Sequence, residues 1–301
     1  MMRVVAGVTA CNEERTIEPL LEALLEARPG GGPVEAVIVV SSACRDRTDE
    51  IVRGLAARDP RVSLITEPER RGKAAAINTF LSERPPGTDV TMVASADVLP
   101  FPGATEAIVA CFEDPGVGMA GGRPVPQNEG RSLLDRMAVL MWDLHDRMAR
   151  RRPKLGELVA FRSSLVDSVD PESAVDEGSL EADVVRKGGR LAYVPEARIA
   201  NRGPATLREW MAQRRRIAFG HLWLRRRTGY EVSTGPGVRV LPVWLAAIAP
   251  RPSRWLPGLM LACTEVLARL QARRDLGRGS KDYAVWQIAE STKVGSGPPR
   301  S

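Results

Sequence analysis

Four apolar runs in the first hundred residues each stop at side chains that can bind or move charge. RVVAGVTA (3–10) leads into Asn12, Glu13 and Glu14, and VEAVIVVS (34–41) ends on Ser41 and Ser42. RVSLIT (61–66) is followed by Arg71 and Lys73, and DVTMVAS (89–95) by Asp97. A buried strand that stops at a carboxylate is either turning into solvent or holding out a ligand for a cation or polar molecule. Asp97, in the stretch VASADVLP, poses that choice. Farther along, Asp176 and Glu177 immediately precede a helix expected to begin near Gly178. A helix dipole and its unpaired amides favour the ionised form of such carboxylates, so the pair can cap the helix or accept a proton.

The elements that must position these residues alternate in type. Between the apolar runs lie TIEPLLEALLEA, DRTDEIVRGLAAR and GKAAAINTFLSE, each with apolar residues at spacings of three and four. The series predicts βαβαβαβ: an α/β fold with a mostly parallel central sheet and helices on both faces. Ligands on such sheets bind beyond the carboxyl ends of the strands, which favours a ligand-holding Asp97 and, for the set of strand-end residues together, a nucleotide site. Beyond Pro102 the pattern predicts a helix (ATEAIVACFE), a strand (VGMAGGRPVP), a long helix over 131–151 and a strand ELVAFR. A second long helix follows, opened near its first turn by Pro204.

Composition narrows the function classes. The chain has 301 residues, 44% hydrophobic and 27% charged, which suits one large or two modest folded domains. Its formal charge of +6 is carried by arginine clusters such as Arg150–Arg152, Arg214–Arg216 and Arg225–Arg227. These are either solvated faces or sites for anions, such as a nucleotide pyrophosphate or an anionic membrane surface. Nucleic acid is not expected, because aromatic residues make up only 5% and no recognised binding motif occurs. Cys11, Cys44, Cys111 and Cys263 lie far apart in sequence without a CxxC pair, so neither zinc nor a disulfide framework is suggested and a reducing, cytoplasmic compartment fits. Arg3 runs straight into a short strand, which argues against a secretory leader. The longest uncharged runs, 240–250 and 255–264, are about half of the roughly 20 residues that span a bilayer, although they can lie on one. GVGMAG (116–121) matches a dinucleotide fingerprint literally but follows a helix and enters a strand, the reverse of the required context.

The motifs, taken in order, resemble the family 2 glycosyltransferases, which have the GT-A fold. The resemblance covers about residues 3–230. TACNEERTI is similar to the family's first-strand signature, SSACRDRT to its second-strand segment, RRGKAAAIN to its lysine-containing loop, and VASADVLPFPG stands in the place of its Asp-x-Asp motif. GELVAFR resembles the acceptor-side strand, VDEGSLEADVVRKG the acidic catalytic motif, and QRRRI the family's QxxRW. In two places the chain departs from the pattern: Ser42 stands for an aspartate that pairs with the base, and Ser95 for the first carboxylate of Asp-x-Asp.

The resemblance implies an inverting, metal-assisted transfer of sugar from a nucleotide-diphosphate donor to an acceptor hydroxyl. Thr9, Ala10, Cys11, Glu13, Ser42, Lys73, Asn78, Ser95, Ala96, Gly156, Gln213 and Arg216 are then the expected substrate-binding residues. Asp97 would hold Mg²⁺ or Mn²⁺ at the diphosphate, with His221 a further candidate ligand, and Glu177, preceded by Asp176, would be the general base. Isoleucine in place of the tryptophan of QxxRW argues against a processive polymerase. The implied organisation is a GT-A domain over 1–230, with a nucleotide half to about 100 and an acceptor half beyond, a helical extension over 231–290 and a disordered tail over 291–301. In the extension, Trp244, Trp255, Leu256 and Met260 beside Arg251 and Arg254 form either an interfacial patch for a lipid-linked acceptor or a pair of short packed helices. A small-molecule acceptor is equally compatible. The rival reading is a non-catalytic sugar-nucleotide binder, suggested by Ser42 and Ser95.

Overall fold

β1 (Val4–Ala10) is buried along both faces, and its alternation shows why the sheet is covered on two sides. Val4, Ala6 and Val8 pack into one apolar cluster and Val5 into another, as a period of two requires. The computed structural model describes residues 2–26, 34–235, 237–279, 283 and 290–293. On the first face lie α1 (Ile17–Leu25), α2 (Thr48–Ala56) and α4 (Ala104–Ala110); on the second lie α3 (Lys73–Glu83) and α6 (Asp176–Arg186). Gly7 marks the closest approach to the second face, since a Cβ there would fall 2.3 Å from the Phe80 ring of α3.

Eight strands form one sheet among the described residues. β1, β2 (Val34–Ser42), β3 (Val62–Glu67) and β4 (Val90–Ser95) are parallel, in the spatial order β3-β2-β1-β4. β5 (Leu99–Pro100), β6 (Val117–Pro126), β7 (Leu158–Arg162) and β8 (Arg190–Asn201) extend it in the order β7-β6-β8-β5. β7 is antiparallel to both β4 and β6, β6 runs parallel to β8, and β5 is antiparallel to β8. β5 and β8 are not legible in the sequence. β5 has only two residues, and β8 skips register between Val194 and Arg198, around Pro195, which breaks its alternation.

A further layer is wholly helical. α5 (Leu133–Ala149), α7 (Leu207–Thr228), α8 (Gly237–Ile248) and α9 (Trp255–Gly277) share a core that includes Met137, Leu140, Trp210, Ala247 and Leu261. Trp210 is fully buried, and its indole N–H donates to Thr264 Oγ1 at 3.3 Å. Thr206 caps α7, so Pro204 lies just outside the helix rather than in its first turn. α9, at 23 residues, continues well past the uncharged run that suggests a short helix. No helix among the described residues is long and apolar enough to cross a membrane. Of the expected tail, residues 291–293 belong to a 3-10 turn tied to α7 by Ser291 and Glu209, and 294–301 lie outside the described residues.

Candidate active site

The polar residues at the strand ends are held by bonds between neighbouring loops. The Glu13 amide donates to Thr48 Oγ1 at 2.7 Å, and the Glu13 carboxylate accepts from Thr16 at 3.0 Å. The Arg45 amide donates to Asn12 Oδ1 at 2.7 Å, which fastens the turn after β2 to the turn after β1. After β4 the chain does not run into solvent: the Ala96 amide donates to the Thr9 carbonyl at 3.1 Å, and the turn through Asp97 leads into β5.

Of the residues that the resemblance assigns to substrate, metal and catalysis, all except Asn78 line one cavity of about 1610 Å³. Thr9, Ala10, Cys11, Glu13 and Ser42 come from the ends of β1 and β2, and Ser95, Ala96 and Asp97 from the end of β4. Lys73, Gly156, Asp176, Glu177, Gln213, Arg216 and His221 complete the convergence. Asn78 is elsewhere engaged: its amide donates to the Val169 carbonyl at 2.8 Å and accepts from the Val169 N–H at 2.7 Å. It ties α3 to the chain leading to α6. The expectation that Asn78 binds substrate is therefore corrected, because both ends of the amide are committed to the backbone.

Lys73 and the carboxylates around it dominate the site. Its ammonium lies 2.5 Å from Glu177 Oε1 and 3.9 Å from Asp176 Oδ2. Asp176 and Glu177 occupy the first turn of α6 rather than preceding it. Gly220 lets α7 close on them, since a Cβ there would fall 2.6 Å from the Val175 side chain. Burial works to raise the Glu177 carboxyl, but the charge and hydrogen bond of Lys73 prevail and hold it well below the usual carboxylate range. Asp176 moves the other way: burial pushes it up to about 6 against the pull of Lys73, and its Oδ1 is buried with no hydrogen-bond partner among the described residues. Burial also opposes the charge on Lys73, yet Glu177 and Asp176, with a smaller contribution from Asp97, keep its pKa above the ordinary lysine value. Arg216 lies in the same field and donates to the Ala174 carbonyl at 3.0 Å.

Sequence reasoning misses several residues of the site. Glu157 also lines the cavity, in the left-handed conformation (φ 65°), and Asn201 donates to it at 3.1 Å. Burial, reinforced by Asp97 and Glu177, pushes Glu157 up to about 7. Such strain in a non-glycine residue collects at functional positions, and the one sequence signal was its place beside Gly156 in GELVAFR. Glu67 stands behind Ser42, accepting its hydroxyl proton at 2.8 Å and pairing with Arg71 at 2.7 Å. The Ser42 oxygen is thereby left as an acceptor. Lys154 and His145 are further cavity residues that the motifs do not mark.

The three consecutive arginines of α7 separate. Arg214 pairs with Glu265 and Arg215 makes two bonds of 2.7 Å to Asp275, both on α9, so only Arg216 faces the carboxylates. His221 lines the cavity among cations: burial first, then Lys154, Arg214, Arg269 and Arg216 push it well below its usual value.

No three His, Cys, Asp or Glu side chains converge as a complete metal cage among the described residues. The donor set at Asp97 nonetheless fits Mg²⁺ or Mn²⁺. Asp97 lies within electrostatic reach of Glu157 and Lys73, and carboxylate oxygens suit a hard cation that takes its remaining ligands from diphosphate and water.

Comparison with known proteins agrees with this arrangement. The Glycosyl transferase family 2 profile matches residues 6–164, just over half of the chain, and the Glycosyl transferase family group 2 profile matches residues 92–272. A pre-mycofactocin glycosyltransferase of Mycobacterium tuberculosis is 28% identical over 193 residues, 59% of this chain; the chain spans only 40% of that relative's length. A dolichyl-phosphate beta-glucosyltransferase of Trichomonas vaginalis is 37% identical over 75 residues, 23% of this chain and 22% of the relative. Among solved structures, a mannosyltransferase from Pyrobaculum calidifontis in complex with GDP-Man and Mn²⁺ superposes with a TM-score of 0.60 at 24% identity, covering 94% of this chain and 85% of the other. Glucosyl-3-phosphoglycerate synthase of Mycobacterium tuberculosis, in complex with Mn²⁺, UDP-glucose and phosphoglyceric acid, gives 0.53 at 21% identity, covering 76% and 80%. The shared architecture is GT-A.

Proposed function

The chain belongs to the family 2 glycosyltransferases, and on that premise we propose that it moves a sugar, with inversion, from a nucleotide-diphosphate donor to an acceptor hydroxyl. The observation that carries this reading is the Lys73–Glu177 pair set among Asp97, Glu157 and Asp176 in one cavity. The donor half is 1–100, the acceptor half 101–230 and the helical extension 231–290.

The nucleoside lies against Thr9, Ala10, Cys11, Glu13 and Ser42. With its proton committed to Glu67, Ser42 offers a lone pair to a base N–H and so performs the accepting part of the missing aspartate without its charge. The diphosphate lies by Lys73 and Arg216. A divalent cation held by Asp97 would stabilise the charge that develops on the leaving diphosphate. As Lys73 turns to the phosphate oxygens, Glu177 loses its ion-pair partner and gains proton affinity, which suits a base acting on the acceptor hydroxyl. Asp176, at 2% exposure, is too enclosed to meet the acceptor and tunes Glu177 instead.

The cavity also carries cationic side chains, Lys154, Arg269 and Arg273, and apolar ones, Leu241, Trp244 and Val266. An acceptor that joins an anionic group to an apolar body fits both features. Eight of the eleven exposed large hydrophobic side chains among the described residues lie on α8 and α9, among them Leu245, Trp255, Leu259 and Leu267. We assign to this face peripheral contact with an anionic membrane that supplies a lipid-linked acceptor.

Calorimetry with UDP, GDP and their sugar conjugates, with and without Mn²⁺, tests the reading on wild type, Asp97→Ala and Glu177→Gln. Wild type should bind one nucleotide in a Mn²⁺-dependent manner, and Asp97→Ala should lose that dependence. Glu177→Gln should keep binding and lose turnover by about a hundred-fold or more. Binding without transfer to any acceptor would favour the non-catalytic reading instead, and no nucleotide binding in wild type would end both.

A further inference from the structure

The turns after β1 and β2 bring together two cysteines that the sequence keeps apart. The strands pair in parallel as far as Ala10 and Ser41, so the turns that follow run side by side. Asn12 (φ 58°) and Ala43 (φ 51°) both adopt the left-handed conformation there. The Cys44 sulfur accepts a hydrogen bond from the Asn12 amide at 3.1 Å and lies 3.9 Å from the Ala10 carbonyl oxygen. It is thus seated across the backbone of Cys11, whose thiol is near enough to pull its proton affinity down. Both are partly exposed, and Cys11 lines the cavity. Cys11, helped against burial by Ser41, the Asn12 amide and Thr48, holds the Cys44 thiol down at about 6. A partly exposed thiol of lowered proton affinity beside a second one is the arrangement of a two-cysteine oxidation site, of the transient kind found in reducing compartments. The other two cysteines differ: burial pushes the Cys111 thiol up, and Cys263 sits exposed on α9.

We propose that Cys44 is an oxidant-sensitive thiol that Cys11 resolves into a reversible disulfide, and that this bond closes the nucleotide end of the cavity. The oxidant is a hydroperoxide. The Cys44 sulfur attacks one peroxide oxygen; an S–O bond forms, the O–O bond breaks, and the other oxygen leaves as water or alcohol after taking up a proton. The Cys11 sulfur then attacks the Cys44 sulfenic sulfur; the S–S bond forms, the S–O bond breaks, and hydroxide leaves as water with the Cys11 proton. One hydroperoxide is reduced and two thiols are oxidised, and an added dithiol reverses the change. Drawing the sulfurs to about 2.05 Å fixes both turns and shifts Cys11, which faces the nucleoside in the reading above.

The disulfide does not depend on that reading, whereas the effect on nucleotide does, so the test measures them separately. Reduced protein receives one equivalent of hydrogen peroxide and is examined by intact mass and by peptide mapping without reductant, beside Cys11→Ser and Cys44→Ser. Wild type should lose two hydrogens, yield one cross-linked peptide joining residues 11 and 44, and revert with dithiothreitol. Cys11→Ser should stop at a Cys44 sulfenic acid that dimedone captures, and Cys44→Ser should give neither product. A cross-link to another cysteine, none at all, or Cys263 consumed ahead of Cys44 would overturn the site. For the second part, calorimetry with UDP and GDP in the presence of Mn²⁺ should show affinity falling about ten-fold or more on oxidation and returning on reduction. Equal affinity in both states overturns the closure. Reduced protein that binds neither nucleotide rejects the donor reading, while the mass result still decides the disulfide.

Discussion

The seam between α7 and α9 and the cluster around Lys73 are both made of opposite charges, on opposite plans. In the seam each cation has its own anion: Arg214 faces Glu265, and Arg215 faces Asp275, which also accepts from the Tyr283 hydroxyl at 2.6 Å. Around Lys73 and Arg216 the acids outnumber the bases, with Asp97, Glu157, Asp176 and Glu177 sharing the field and one buried Asp176 oxygen left without a partner among the described residues. Matched pairs hold elements together. A mismatched, partly desolvated cluster stores unfavourable energy that a cationic or hydrogen-bonding ligand can relieve, so it marks the place where the molecule binds.

The contrast breaks if both clusters respond alike to loss of one charge. Arg215→Ala removes the cation from Asp275, which keeps the Tyr283 hydroxyl, and because the arginine is 41% exposed the loss should be about 1 kcal/mol of stability, read as a lower midpoint in urea. A loss near zero would show the seam to be ornamental. Glu157→Gln should do the reverse. The folded protein holds the Glu157 proton up to about pH 7, whereas the unfolded chain releases it near the ordinary 4.5, so the native state binds more protons between those values. Stability therefore falls as pH rises through that window. The glutamine variant should be more stable by about 2 kcal/mol at pH 8, unchanged at pH 4, and should show a flatter pH profile. Destabilisation at pH 8 would remove the distinction between the two clusters.

The smallest effect on folding is expected on the outer face of α9, across the helix from the seam. Leu259→Glu with Leu267→Glu should change stability by no more than about 0.5 kcal/mol each, because both side chains are exposed. The pair should nevertheless abolish co-sedimentation with vesicles of equal parts phosphatidylglycerol and phosphatidylcholine. Undiminished sedimentation would show that this face does not meet the membrane.

The first hundred residues could be read almost entirely from the sequence. Their strands are buried on both faces and their helices are amphipathic, so apolar periodicity reports each element locally, and β1 to β4 fall within a residue or so of the expected runs. β8 was not legible because its alternation breaks near Pro195, and Glu157 was not because its importance comes from Asp97 and Glu177, which are distant in sequence.

The order of motifs determined the family, the parallel strands β1 to β4 and the list of residues that would gather at the strand ends, since each depends on local pattern and on a fixed direction of the strands. Tertiary structure decided how those residues are used. It commits Asn78 to the backbone of Val169, sends Arg214 and Arg215 to α9, puts Glu67 behind Ser42, and seats Cys44 against Cys11. Charge, hydrogen bonding and burial depend on neighbours in space, and the sequence does not display these until the chain has folded.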